Sequence, residues 1–243
     1  MNQSVNETMR AGIDHLQEAV AEITAEIKPK LRGWLHLATA PLTLAAGIVL
    51  IALSPDQTTR IGSAAFTGTA LVLFTVSAIY HTGTWSPRTW AFLRRFDHAN
   101  IFLLIAGSYT AFSLLLLDGT TRWVLLATVW AGAVLGVLFR IFWTDAPRWL
   151  YVPLYIAMGW AALFFIPAFF DGATALGLGV GIATFVMILA GGALYTAGGV
   201  VYGFKRPNPS PRWFGFHEVF HSFTVLAFAA HYVGVSMATY SLR

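Results

Sequence analysis

His217 and His221 stand four positions apart. On a helix that spacing puts both imidazoles on one face, about 6 Å apart along the axis. One zinc ion can be gripped by both, and a third neutral imidazole plus water completes the open tetrahedral arrangement of a catalytic zinc. His81 is the candidate for that third ligand. A zinc so held lowers the pKa of its water to about 7 and polarises a carbonyl. Asp97 is the candidate to hold or deprotonate the water. Ser77, one helical turn before His81, can hydrogen-bond within the same site. Metal ligands His81, His217 and His221 with catalytic Asp97 and Ser77 are thus expected to serve metal-assisted attack on a carbonyl.

These residues lie at the ends of long apolar runs. Of 243 residues, 57% are hydrophobic and 11% are charged, against roughly a quarter charged in ordinary soluble domains. A soluble domain could not solvate its surface with so few charges, so most of that surface must face lipid. No cysteine is present, which excludes disulfides, thiolate metal sites and iron–sulfur clusters. The net charge of +4 does not indicate a nucleic-acid partner. The basic residues sit in short loops between apolar runs, which is a topology pattern. Membrane lipids are the expected partners.

Seven apolar stretches lie near Trp34–Leu53, Ile61–His81, His98–Leu117, Trp123–Phe142, Leu150–Phe169, Leu176–Tyr202 and Phe216–Tyr240. A crossing helix needs about 20 residues. Backbone groups in lipid must be satisfied internally, so spans without barrel-like alternation are helices. The fold class expected is all-α, a seven-transmembrane helix bundle over residues 30–243. Twelve of the 15 Lys and Arg residues fall on one side of these spans, and only Arg60, Arg122 and Arg243 on the other. The positive side is cytoplasmic, which predicts a cytoplasmic N-terminus, Arg243 outside, and a multi-pass place in the bacterial inner membrane. Most tryptophans, Trp34, Trp85, Trp90, Trp123, Trp143, Trp149 and Trp213 among them, fall near span ends as interfacial anchors should. On this topology His81, Asp97, His217 and His221 all sit at the cytoplasmic depth. Nothing in the charge count required that coincidence.

Residues 1–29 are polar and acidic at first, and no cleavable signal peptide is expected, since the first apolar run is of spanning length. Ile13, Leu16, Val20, Ile23 and Ile27 repeat at spacings of three and four, with Asp14, Glu18, Glu22 and Glu26 on other faces and Pro29 ending the run. That pattern predicts a cytoplasmic amphipathic helix, packed on the cytoplasmic loops or on a partner, which can be a second copy of the chain. Gly132/Gly136, Gly177/Gly181 and Gly199/Gly203 are small-residue pairs that let helices approach. His15, His98 and His231 read as ordinary polar residues; His36 lies near the metal-site depth.

A competing motif is present. His217-Glu218-Val219-Phe220-His221 fits H-E-x-x-H, in which the glutamate is the base of a metalloprotease. Leu117-Asp118-Gly119 is similar to the acidic ligand motif of intramembrane site-2 proteases. Topology argues against that reading: Asp118 is expected a bilayer away from His217, and it precedes the histidine pair where in those proteases it follows.

Three blocks carry a family resemblance: Ser77-Ala78-Ile79-Tyr80-His81, Phe96-Asp97-His98-Ala99-Asn100 running into Gly107-Ser108-Tyr109-Thr110, and Phe214-Gly215-Phe216-His217-Glu218-Val219-Phe220-His221. With these, from about Lys28 to the C-terminus, the chain resembles the hemolysin III branch of the progestin and adipoQ receptor family. The resemblance implies seven helices with the N-terminus inside and zinc bound by His81, His217 and His221. It also implies Asp97 beside the zinc water and Ser77 in the same site. Adiponectin receptors and the similar alkaline ceramidases suggest hydrolysis of a lipid amide such as ceramide, and bacterial members are linked to membrane homeostasis. Many relatives carry N-x-x-T-H at the start of span one, where this chain reads Arg32-Gly33-Trp34-Leu35-His36. Two functions stay open on sequence: a zinc-dependent hydrolase of a lipid amide or ester, and a non-enzymatic, zinc-braced membrane sensor. A pore is disfavoured, because a conducting path needs polar lining through the full thickness.

Overall fold

A computed structural model describes residues 29–243. The amphipathic helix expected over Ile13–Ile27 lies outside the described residues. Seven helical spans are long and apolar enough to cross a membrane: Trp34–Leu53, Gln57–Thr82, Pro87–Leu116, Gly119–Phe142, Arg148–Thr174, Leu178–Phe204 and Phe216–Ser241. They are numbered one to seven below. No strand occurs among the described residues.

Local chemistry sets where the spans start. Span two begins at a reciprocal capping box, with Asp56 accepting from the Thr59 amide and Thr59 accepting from the Asp56 amide. Span three begins much earlier than its apolar run predicts. Ser86 caps the Thr89 amide and Pro87 takes the first helical position, where a missing N–H costs nothing. The helix therefore carries Arg88, Arg94 and Arg95 on turns that extend past the apolar window, and Asp97 lies about three turns inside it.

Span three is the axis of the bundle. Of its apolar window 72% is buried, against 11% for span five and 17% for span six. Spans two and three pack closely, as do three and four, and span one meets both two and seven, which closes the bundle around the axis. Phe66 and Phe74 of span two, Leu104 and Ala111 of span three, and Phe228 and Val235 of span seven share one core. Gly136 takes the ring of Phe102 against its backbone, where a Cβ would collide, as small-residue packing requires. Gly132 has no such close neighbour.

Span five is not a continuous helix. A 3-10 segment, Trp160–Phe165, interrupts it, because Pro167 lacks the N–H that would bond back to Leu163 and its ring crowds that carbonyl. Tyr109 repairs the break: its hydroxyl donates to the Gly159 carbonyl and accepts from the Ala162 amide, both at 2.7 Å. An apolar cavity of about 290 Å³ opens beside this break, with His231 of span seven on its wall.

Candidate metal centre

His81 closes span two and His217 and His221 open span seven. Seven crossings put the start of span one and the end of span seven at opposite ends of the bundle, so all three histidines share the end where span one begins. Their ring centroids are 4.8 Å apart for His81–His217, 5.3 Å for His81–His221 and 4.5 Å for His217–His221. One nitrogen from each lies within 4.8 Å of the others, and all three residues are buried.

The donor set suits zinc. Nitrogens bound at about 2.0–2.1 Å lie within roughly 4 Å of each other, so small ring adjustments close the group on one ion. Nε2 of His217 and Nδ1 of His221 are buried with no hydrogen-bond partner, a costly state for polar atoms unless something engages them.

Asp97 faces the group from span three, with Oδ2 3.7 Å from Nε2 of His81. Ser77 is a hydrogen-bonding neighbour of the Asp97 carboxylate. Both line a cavity of about 100 Å³ together with His221. The rest of its wall is mainly apolar and aromatic, including Leu73, Ile101, Leu104, Val152, Ile156 and Phe220. The five residues singled out by spacing and resemblance thus meet in one place, drawn from spans two, three and seven.

Three further residues shape the site from around the ligands. The chain leading into span one runs beside the loop before span seven: Lys30 and Leu31 amides donate to the Arg212 and Trp213 carbonyls at 3.0 and 3.2 Å. Arg32, 186 positions from its partner, then pairs with Glu218, whose side chain is 1% exposed. The other Glu218 oxygen accepts from the Gly215 amide at 2.7 Å, capping span seven. Glu218 is therefore committed to a cap and an ion pair, which argues against the base role in H-E-x-x-H. The cap is the glutamate half of a capping box, since Gly215 has no side chain to accept from the Glu218 amide. Gly33, with φ 86°, starts span one against His81; a Cβ there would lie 2.6 Å from the His81 Cβ. Only glycine fits that conformation and that approach. His36 is the third, and its ring stacks on His221 with centroids 3.8 Å apart and planes 14° from parallel.

The remaining expectations separate by place. Asp118 precedes span four at the opposite end of the bundle and pairs with Arg122 at 2.7 Å. His98 is engaged structurally, its Nδ1 2.6 Å from the Arg94 carbonyl and its Nε2 3.3 Å from the Tyr202 hydroxyl. His231 lies 3.2 Å from the Ile188 carbonyl.

Comparison with known proteins agrees with this architecture. The family model described as Haemolysin-III related matches residues 24–232. Hemolysin-3 of Bacillus cereus is 31% identical over 195 residues, covering 79% of this chain and 85% of that protein. The Hemolysin-3 homolog of Bacillus subtilis (strain 168) is 31% identical over 160 residues, 66% of this chain and 68% of the relative. A multi-pass membrane bundle, a buried histidine group at one end and a family match along most of the chain lead to one assignment: the chain belongs to the haemolysin-III-related family.

Proposed function

We propose that the protein is a zinc-dependent membrane hydrolase that cleaves a lipid amide or ester, ceramidase-like, and serves membrane homeostasis. The observation that carries this reading is the meeting of three buried imidazoles beside Asp97, with His221, Asp97 and Ser77 on the wall of an apolar cavity. His81, His217 and His221 would hold the ion; zinc, when bound there, polarises a carbonyl and makes water a nucleophile near neutral pH. Asp97 takes a proton from the attacking water at Oδ2 and returns it to the leaving amine or alcohol as the acyl bond breaks. Ser77 keeps the carboxylate turned toward the cavity. The apolar wall binds the hydrocarbon part of the lipid and keeps bulk water out, which strengthens each polar contact. The excess of Lys and Arg on the histidine side supports an inner-membrane protein with this end in the cytoplasm, so a linkage near the inner head groups is the accessible one.

A second reading draws on the ligands being shared between spans two and seven. Zinc would then brace those spans, and the protein would sense membrane state with no product formed.

Metal analysis of the purified chain, together with mass spectrometry of ceramide and acyl-ester lipids incubated with it, separates the two. The hydrolase reading expects one zinc per chain and a zinc-dependent product. Zinc with no product from either lipid class would favour the brace. A chain that holds no metal overturns both.

A further inference from the structure

Metal-binding imidazoles are ordinarily oriented by a hydrogen bond from the second ring nitrogen to a carboxylate, carbonyl or water. At His221 an aromatic contact is also in place to fix the ring plane. His36, 2% exposed, lies almost parallel against it at 3.8 Å. Phe74 of span two in turn holds His36 edge-on, with ring centroids 5.0 Å apart. Both ring nitrogens of His36 are buried and lack hydrogen-bond partners, so the contacts that position this residue run through its faces and edges.

We propose that His36 is a positioning residue for the metal centre: its stacked ring sets the plane of the His221 imidazole and presents that ligand to the ion. This rests on the zinc reading above. The preceding segment supports it. Gly33 seats the start of span one against His81, and Arg32 anchors the same turn to Glu218 beside His217. His36 is one helical turn further on, so span one enters the bundle locked against both ligand-bearing spans, with its imidazole laid on the ligand. A ring that acts by its face can be replaced by another ring. One that acts by its nitrogens cannot.

The experiment compares zinc affinity, by competition with a chromogenic chelator, for the intact chain and for His36→Phe, His36→Asn and His36→Ala, with melting of each metal-free form followed in parallel. His36→Phe is expected to stay within about threefold of the parent. His36→Ala and His36→Asn are expected to lose about 10–100-fold, the usual cost of removing a group that orients a ligand. Their metal-free melting should move much less than their affinity. Cobalt bound in place of zinc should keep one ion per chain in every variant but change its absorption only where the ring is gone. If His36→Phe weakens zinc as much as His36→Asn or more, the nitrogens act directly and the proposal fails. If no variant changes affinity, or if neither His36→Phe nor His36→Ala folds, His36 is holding the bundle and the proposal also fails. An intact chain that binds no zinc overturns the metal reading itself, a result distinct from these.

Discussion

Span seven carries two buried histidine environments, and they behave differently. His221 and His231 are ten residues apart, about 15 Å along the helix. Each lines a cavity and each touches aromatic rings. At His231 a single ring stands among apolar and aromatic neighbours: Nε2 approaches the Ile188 carbonyl, Nδ1 has no hydrogen-bond partner, and Phe112 and Tyr195 cover the ring. At His221 two further imidazoles converge and a carboxylate from span three faces the group. Burial of a histidine is thus no mark of a metal site. Convergence of donors from separate helices is what sets one end of the helix apart from its middle.

The sharpest way to break this contrast is to remove a ligand. His81→Ala or His217→Ala should lower zinc affinity by more than about 100-fold, exceeding the loss from any orienting group, as measured by metal content after dialysis. Retention of stoichiometric zinc by both would erase the difference between the two regions. Asp97→Asn should keep the ion yet lose about 10²–10⁴ in turnover on the lipid substrate; normal turnover would take Asp97 out of the chemistry. Arg32→Met leaves the Glu218 charge buried and unpaired, so a loss of about 3–5 kcal/mol in unfolding free energy is expected. Replacing both partners, as Arg32→Met with Glu218→Gln, should cost less, because no uncompensated charge remains. His231→Leu is the control at the other region: about 1 kcal/mol of stability for one hydrogen bond, with zinc content unchanged. Loss of metal in that variant would couple two sites that the structure keeps apart.

Much of the centre was legible before any contact was known. The separation of His217 and His221 is a helical-face statement that holds wherever the helix lies. The parity of crossings, fixed by the segregation of Lys and Arg, put His81 and Asp97 at the same end. Less legible was the length of span three. Its apolar run covers only part of the helix, whereas Ser86 and Pro87 start it earlier. The break in span five hinged on Pro167, a residue that helices in membranes often tolerate. Whether it interrupts the helix depends on a neighbour such as Tyr109 being there to take up the freed backbone groups.

Sequence by itself determined the number of spans, the all-helical class and the pairing of His217 with His221. Each of these follows from a short-range pattern: hydrocarbon thickness sets run length, and the helical repeat sets which side chains share a face. Only the tertiary structure decided that Glu218 pairs with Arg32, that Gly33 packs on His81, and that His36 lies on His221. Those roles depend on contacts between residues far apart in the chain. No local periodicity encodes such a contact, because it exists only once span one has docked between spans two and seven.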